Sequence, residues 1–442
     1  MASFECIFTS DSDEKLWNIC AWDIVTGSVL KIYKGESSAP RTLCIIGSDY
    51  LISANPNKPV LQTWSLERSE QLQTKHICPG KVSALAVSPD GAHCIAGIQE
   101  KIFIWQICTG DLLAILSLHF QSITCLRFSD DGCHFASASR DGQVIAWDLN
   151  AAVTPRLTGG TPDPLHVWSH HSNDVTDLYF GLGGTNARVI SCSLDQTCRV
   201  YELHSGEQLF EAVLDSALTA VVADAAESNV FAGSLTGAIY QVALYSADPL
   251  SQHGSAFTGH GARVTCLSVS IDGQLLVSGS EDRTARVWDI PSRQCIQVLQ
   301  HKGHVTNAFI APTPIQLQTL KESCKPLLPL AKFKSSVDAE GKGGAVRVNL
   351  ATVVKKKAAV RINEEDGANH KLYERMLTTA ADGDEDMGDE EEDDDGGAEM
   401  LSVEDLRKEV ARLKQVNQQL YDFAANRVIS CRQDGSVDGM QQ

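Results

Sequence analysis

Residues 257–300 read FTGHGARVTCLSVSIDGQLLVSGSEDRTARVWDIPSRQCIQVLQ. Four short runs in this stretch, VTCLSVS, LLVSGS, ARVWDI and CIQVLQ, have the apolar alternation that predicts β-strands. An Asp-Gly pair at 272–273 and a polar pair at 281–282 separate the first three runs, and such pairs form the tight turns of β-hairpins. The stretch therefore predicts a small antiparallel sheet of four strands, with a Trp-Asp dipeptide at 288–289 in the third strand.

Similar dipeptides recur along the first 290 residues, each pairing an aromatic residue with a polar one. They are Trp22-Asp23, Trp64-Ser65, Trp105-Gln106, Trp147-Asp148, Tyr201-Glu202, Tyr240-Gln241 and Trp288-Asp289. A repeat of about forty residues that ends in Trp-Asp is typical of WD repeats, each of which supplies one four-stranded blade of a β-propeller. The pattern predicts an all-β fold, a seven-bladed WD-repeat β-propeller over residues 1–311.

The two ends of the repeat region predict how the ring closes. Residues 4–34 match the second, third and fourth strands of a blade, and a first strand is missing before them. Residues 305–310 follow the seventh repeat and match the first strand of a blade, but no second, third or fourth strand of that blade follows them. Because an open sheet edge tends to pair with other chains, we expect 305–310 to complete the first blade.

Two repeats carry the same set of His, Ser, Asp and Trp residues. By resemblance to complete WD repeats, each set would form a polar network that ties the strands of its blade together. The sets are His260, Ser278, Asp282 and Trp288 in the last blade, and His119, Ser137, Asp141 and Trp147 in the fourth blade. A catalytic triad also contains Ser, His and Asp, but it is recognised by geometry and role. Because the sets recur at structural positions of the repeat, they predict a structural network and no catalytic residue.

Composition and motifs exclude several classes of function. The net charge is −19, and twelve acidic residues with no basic one lie in 382–399. This balance argues against broad binding of nucleic-acid phosphates as the main activity, although direct contact with RNA stays open. The sequence has no CxxC pair, P-loop or nucleophile elbow, so we expect no enzyme, no cofactor and no metal site. It also has no run of 18 apolar residues, which predicts no membrane span.

The composition changes after the propeller. We predict a flexible linker at 312–401, first basic and then acidic, and a disordered tail at 430–442. Ten Lys or Arg residues against three acidic ones in 321–361 are consistent with either a nuclear-import signal or a solvated tether. Within this segment, PLLPLAKF at 326–333 is an apolar patch that we expect to dock on the disc or on a partner. The acidic run cannot bury a core and is expected to be disordered.

Residues 402–429 predict a coiled-coil helix. Ser402 and Asp405 have the spacing of a capping box, and no Gly or Pro interrupts the segment that follows. Spacings of three and four residues define an a/d seam with one Asn, which is typical of a coiled coil. The seam residues are Val403, Leu406, Val410, Leu413, Asn417, Leu420 and Ala424. We favour a homodimer through this helix; the alternatives are docking on a partner's helices and packing back on the propeller.

Three segments resemble the WD-repeat subunits of the rixosome, the family of WD repeat-containing protein 18 and the fungal Ipi-family WD-repeat protein. The segments are HVWSHHSNDVTDLYFGLGGTNARVISCSLDQT (166–197), GHGARVTCLSVSIDGQLLVSGSEDRTARVWD (259–289) and LKQVNQQLYDFAANRVI (413–429). The second segment is generic to WD repeats, and the other two are more specific. The resemblance covers 1–311 and 402–429, so no property of the family is carried over to 312–401.

The resemblance implies a non-catalytic scaffold subunit of a nuclear complex that acts in large ribosomal subunit maturation and pre-rRNA spacer processing. It implies a nucleolar and nucleoplasmic location, with some protein in the cytoplasm. The implied partners are a large helical-repeat scaffold subunit of the rixosome, a second smaller helical-repeat subunit, a midasin-type remodelling ATPase and the pre-ribosomal particle.

The alternative function is a substrate-receptor propeller of a ubiquitin ligase, or a chromatin-binding adaptor. A ubiquitin-ligase receptor predicts Trp-Asp-x-Arg at the ends of its repeats. The three Trp-Asp sites of this chain read WDIV, WDLN and WDIP, so that motif is absent.

Overall fold

The structure is a computed structural model, and it describes residues 5–13, 18–72, 74–154, 162–245, 256–314, 317 and 330–334. These residues belong to the first of two compact units, 1–343, and the second unit, 344–442, lies outside the described part. The predicted acidic run, coiled-coil helix and C-terminal tail all fall beyond residue 334, outside the described residues, and stay predictions.

Seven antiparallel sheets of four strands each form the blades of the propeller, as predicted. The first blade contains β1 (Glu5–Asp11), β2 (Ile19–Asp23) and β3 (Val29–Tyr33). The second contains β4 (Cys44–Ile46), β5 (Tyr50–Ala54), β6 (Val60–Ser65) and β7 (His76–Ile77). The third contains β8 (Val82–Val87), β9 (His93–Ile98), β10 (Lys101–Gln106) and β11 (Leu112–Leu116). The fourth contains β12 (Ile123–Phe128), β13 (His134–Ser139), β14 (Val144–Asp148) and β15 (His166–Trp168).

The remaining blades follow in chain order. The fifth contains β16 (Val175–Phe180), β17 (Arg188–Ser193), β18 (Thr197–Glu202) and β19 (Gln208–Val213). The sixth contains β20 (Leu218–Ala223), β21 (Asn229–Ser234), β22 (Ile239–Ala243) and β23 (Ala256–Phe257). The seventh contains β24 (Val264–Val269), β25 (Leu275–Ser280), β26 (Thr284–Asp289) and β27 (Cys295–Gln300). A short helix α1 (Leu149–Val153) follows β14, and a 3-10 helix spans Gly184–Asn186.

The last strand closes the ring. Strand β28 (Val305–Pro312) pairs antiparallel with β1 and becomes the missing first strand of the first blade. Phe8 lies opposite Phe309, and their rings stack with centroids 5.5 Å apart. The hydroxyls of Ser10 and Thr306 are 2.8 Å apart across the same pair of strands. The two ends of the propeller therefore cover each other's edges, as the incomplete first repeat predicted.

The apolar core lies at the seams between neighbouring blades. Between the sixth and seventh blades, Phe257, Val264 and Trp288 belong to one buried cluster. Between the second and third blades, Ile52 and Trp105 belong to another. Because each twisted sheet exposes two apolar faces, a blade buries its side chains only when a neighbour covers each face, and the ring satisfies this all the way round.

In the sixth blade, the predicted dipeptide Tyr240-Gln241 does not lie at the Trp-Asp position. In the seventh blade, Trp288 lies opposite Leu276 on the neighbouring strand. At the matching register of the sixth blade, Val242 lies opposite Val230, so Val242, and not Tyr240, occupies the Trp position. Side chains alternate along a strand with a period of two, so a shift by two residues leaves the same face buried. The alternation in the sequence could not distinguish the two registers for this reason.

Residues 330–334 lie against the second and third blades, although the sequence predicted that 312–401 is linker. The side chain of Phe333 is only 7% exposed and belongs to the buried cluster at that seam. The apolar patch at 326–333 therefore docks on the disc through its described residues. A lysine-rich segment with few apolar residues is expected to be solvated. Here the apolar side chains of Leu330 and Phe333 pack at the seam, and their burial outweighs that tendency.

Candidate functional site

The predicted network of the seventh blade is present as a chain of hydrogen bonds. The Ser278 hydroxyl accepts a hydrogen bond from Trp288 Nε1 at 2.8 Å and lies 2.7 Å from His260 Nε2. The Asp282 carboxylate lies 2.8 Å from His260 Nδ1 and accepts the backbone N–H of Gly261 at 3.2 Å. These bonds join β25, β26 and the loop that enters β24, so they hold three parts of one blade together.

The fourth blade repeats this arrangement. Trp147 Nε1 donates to the Ser137 hydroxyl at 3.0 Å, and His119 Nε2 lies 2.8 Å from the same oxygen. His119 Nδ1 lies 3.1 Å from the Asp141 carboxylate, which also accepts the backbone N–H of Phe120. The structure thus brings together all eight network residues singled out from the sequence, four in each blade.

A third network lies in the fifth blade, and the sequence analysis missed it. His171 contacts the Ser191 hydroxyl at 2.6 Å and the Asp195 carboxylate at 3.1 Å, with Tyr201 in the Trp position. His and Ser are 20 residues apart here and 18 apart in the other two networks. The loop between β16 and β17 is longer because it contains the 3-10 helix Gly184–Asn186. Searching with a variable His–Ser spacing would have found this set.

The surroundings of these networks favour neutral histidine and ionised aspartate. Burial lowers the pKa of His260 and of His171, against the opposing effects of Asp282 and Asp195. Burial by itself would raise the pKa of Asp282, but hydrogen bonds from Thr284 and His260 outweigh it and hold that pKa below its ordinary value. We assign the imidazole proton to Nδ1, from which it is donated to the carboxylate.

The Ser, His and Asp atoms have the connectivity of a triad but lack access to a substrate. Ser137, Ser191 and Ser278 are 0% exposed, so a substrate carbonyl cannot approach their oxygens. In the fourth and seventh blades the same oxygen is engaged by an indole N–H. A nucleophilic serine must reach the reacting carbon in line with its base. These side chains therefore stabilise the blades.

An arginine crosses the central channel, and the sequence did not single it out. The Arg41 guanidinium extends from the second blade to Asp177 of the fifth blade, 3.5 Å away, and to the Thr219 carbonyl of the sixth, 2.7 Å away. Arg127 approaches the same carboxylate from the fourth blade at 3.8 Å. These three side chains, together with residues of the inner strands, line a cavity of about 370 Å³. No local pattern predicts such contacts, because Arg41 and its acceptor are 178 residues apart.

A short segment from beyond the ring binds at the rim. We call Leu330–Lys334 the strap, and the space that it fills between the second and third blades the seam groove. Trp105 Nε1 donates to the Lys334 carbonyl at 2.8 Å, and the Lys334 N–H donates to the Gly110 carbonyl at 2.7 Å. The Phe333 N–H donates to His76 Nδ1 at 3.3 Å. The propeller therefore already recognises one extended peptide by its backbone and by an aromatic side chain.

In the described part of the chain, no group of three or more His, Cys, Asp or Glu side chains could hold a metal ion. Among the helices within those ranges, none has both the length and the apolar character needed to cross a membrane. The expectation that the chain is no enzyme stays a prediction.

Comparison with known proteins places these features in a family. The model of the WD domain, G-beta repeat, matches residues 110–148, 162–202 and 251–289. These ranges cover most of the fourth, fifth and seventh blades, in each of which the described residues form a His-Ser-Asp network. WD repeat-containing protein 18 of Mus musculus is 36% identical over 438 residues, which are 96% of this chain and 97% of the relative. The chain belongs to the WD repeat-containing protein 18 family.

Further relatives show the range of the WD repeat-containing protein 18 family and its neighbours. The Homo sapiens family member is 37% identical over 436 residues, which are 96% of this chain and 98% of the relative. The pre-rRNA-processing protein pro-1 of Caenorhabditis elegans is 27% identical over 276 residues, which are 60% of this chain and 52% of that protein. Because the family matches span nearly the whole chain, the relationship extends beyond the propeller.

Proposed function

We propose that this chain is a non-catalytic scaffold subunit that acts in pre-rRNA processing during maturation of the large ribosomal subunit. The relationship to the WD repeat-containing protein 18 family over 96% of the chain carries the proposal. A weaker relative is named for pre-rRNA processing, which supplies the process. On this proposal the protein works in the nucleus, in the nucleolus and nucleoplasm, with some of it in the cytoplasm.

The geometry of the disc supports a scaffold role over a catalytic one. The side chains of the His-Ser-Asp sets are hydrogen-bonded to one another within their blades, and their serine oxygens are buried. Exposed apolar side chains are instead spread around the disc, among them Phe120, Ile271 and Val25 at 78%, 68% and 69% exposure. A closed ring of this kind presents rigid loops on both faces, which suits the binding of several macromolecules at once.

The proposed partners are those that the family resemblance implies. They are the large helical-repeat scaffold subunit of the rixosome, the smaller helical-repeat subunit, the midasin-type ATPase and the pre-ribosomal particle. We also propose that the helix at 402–429 joins two copies of the chain, because its a/d seam is the pattern of a coiled coil.

Affinity purification tests the partner proposal. The tagged full chain is purified from nuclear extract, and the bound proteins are identified by mass spectrometry. We expect both helical-repeat subunits together with proteins of the pre-ribosomal large subunit. Recovery of a cullin and its adaptor without pre-ribosomal proteins would contradict the proposal and favour a ubiquitin-ligase receptor.

Depletion and rescue test the process itself. Cells depleted of the protein should accumulate precursor RNA that retains the internal spacer, as measured by Northern blotting. The wild-type chain should restore processing. Unchanged precursor levels after full depletion would refute a role in pre-rRNA processing.

Light scattering tests the homodimer. The wild-type chain should have about twice the 47.8 kDa mass of one copy, and the double variant Leu413→Asp/Leu420→Asp should return to the mass of one copy, because charge in an a/d seam opposes pairing. Gln415→Asp/Gln418→Asp is the matched control, since it adds the same charge outside the seam. A wild type with the mass of one copy would leave partner docking as the role of the helix.

A further inference from the structure

The outer strands of the fourth and sixth blades each carry an aromatic side chain at the seam with the next blade. Trp168 of β15 and Phe257 of β23 occupy the same register position in their blades, opposite Val144 and Ile239. Trp168 stacks on Tyr201 of the next blade with centroids 4.6 Å apart. Each of these aromatic side chains thus packs in the seam between its own blade and the following one.

His76 occupies the corresponding position in the second blade, opposite Leu61. Its imidazole is smaller than the indole of Trp168. Phe333 of the strap supplies the missing ring: it stacks on Trp105 with centroids 5.4 Å apart and lies 4.3 Å from His76. The seam groove is therefore a gap of aromatic size, and the strap supplies the kind of ring that the fourth and sixth blades carry on their own outer strands.

The indole of Trp105 also needs an acceptor that its own blade lacks. In the fourth and seventh blades a serine hydroxyl receives the indole N–H. The corresponding residue of the third blade is Ala96, two positions after Cys94, which lies opposite Trp105. The Lys334 carbonyl accepts that N–H instead. A buried indole N–H without a partner would be costly, so a backbone carbonyl at this point is specifically favoured.

Other contacts in the seam groove fit the backbone of an extended peptide. Gly110 has φ +73°, and a Cβ on it would lie 2.0 Å from the Lys332 carbonyl oxygen, so the close approach of the strap requires glycine. Burial, with a further effect of the Lys332 charge, lowers the pKa of His76 to about 4. Its neutral Nδ1 can therefore accept the Phe333 N–H. Asp111 holds the Lys334 ammonium at 2.7 Å, at the open end of the groove.

We propose that the seam groove is a recognition site for extended peptides with a phenylalanine followed by a lysine, and that the strap is its resident ligand. While seated, the strap closes the groove to other peptides. The proposal does not depend on the function in pre-rRNA processing.

The contacts are few enough for the strap to exchange. Its ion pair with Asp111 is about half exposed and therefore contributes little to binding. The strap belongs to the same chain as the groove, so it is present at an effective concentration on the order of 1 mM. If the strap sequence binds the groove with a dissociation constant of roughly 0.1 mM, the strap occupies the groove of the wild-type chain about nine-tenths of the time. A peptide of the same sequence, added separately, would bind well only after the strap has been released.

Peptide binding tests the proposal. A fluorescent peptide with the sequence of residues 326–336, PLLPLAKFKSS, is titrated into the full-length chain and followed by anisotropy. We expect saturable binding to the Phe333→Ala chain and at least about tenfold weaker binding to the wild type, since the wild-type strap competes. The Phe120→Ala chain is the matched control: it loses an exposed Phe that is not part of the buried cluster at this seam, and it should behave as wild type. A peptide with Ala in place of its Phe should lose most of its affinity for the Phe333→Ala chain.

Equal binding to wild type and Phe333→Ala would place the peptide elsewhere on the disc, and binding to neither would show that the groove is no peptide site; either result overturns the proposal. Hydrogen exchange on the wild-type chain gives a second readout that needs no variant. The amides of Phe333 and Lys334 should exchange well below their unstructured rates, because both donate hydrogen bonds in the groove. Exchange at the unstructured rate would overturn the proposal even if the variant failed to fold.

Discussion

Replacing Trp288 by alanine should destabilise the propeller by about 3–5 kcal/mol, the usual cost of removing a large buried aromatic side chain. The indole is 2% exposed. It contacts the ring of Phe257 at the neighbouring seam, with centroids 5.8 Å apart, and the Arg286 guanidinium lies over its face. Truncation leaves a cavity between the sixth and seventh blades, where the rigid sheets cannot collapse to fill it.

Trp288→Phe separates the packing from the hydrogen bond. This variant keeps an aromatic ring but removes the N–H that binds the Ser278 hydroxyl at 2.8 Å. Loss of one buried hydrogen bond costs about 0.5–1.5 kcal/mol, and the smaller ring adds a part of the cavity term. We therefore expect Trp288→Phe to fall between wild type and Trp288→Ala.

Urea unfolding followed by circular dichroism measures these differences as shifts of the midpoint at constant slope. Phe120→Ala is a control for the loss of an aromatic side chain from the surface, because Phe120 is 78% exposed, and it should change stability by no more than about 0.5 kcal/mol. A loss of less than about 1 kcal/mol in Trp288→Ala would refute the reasoning that this seam is tightly packed and unable to relax.

Three further outcomes are expected. Deletion of 305–311 removes most of β28 from the first blade and should cause aggregation or a large drop in melting temperature, whereas a monodisperse disc of unchanged stability would show that the ring closes in another way. Deletion of 382–399 should change the stability of the disc by no more than about 0.5 kcal/mol in the same urea assay, and a larger loss would mean that the acidic run packs on it. The melting temperature should fall as the pH drops below about 6.5, because burial lowers the pKa of His171 and His260, so that the unfolded chain binds more protons than the folded one. A melting temperature independent of pH between 7 and 5 would contradict the neutral state assigned to these histidines.

Features that repeat along the chain were predictable from the sequence. The strands around Trp288 follow the predicted runs, and the incomplete first repeat correctly placed β28 beside β1. The networks of the fourth and seventh blades were predicted because their His and Ser residues keep one spacing. Where the repeat departs from that spacing, prediction failed. The longer loop of the fifth blade hid His171, and a two-residue shift gave Tyr240 the place of Val242.

By itself, the sequence determined the seven-bladed ring and the manner of its closure, because strand alternation and the Trp-Asp repeat are local patterns read within about forty residues. Only the tertiary structure decided what meets across the ring. Arg41 finds its acceptors in the fifth and sixth blades, and Phe333 finds Trp105 and His76 more than 200 residues before it in the chain. Such contacts depend on the shape left when the blades pack: a cavity at the inner strands, and a groove at the seam between the second and third blades. No stretch of sequence contains that shape, since it belongs to the closed ring as a whole.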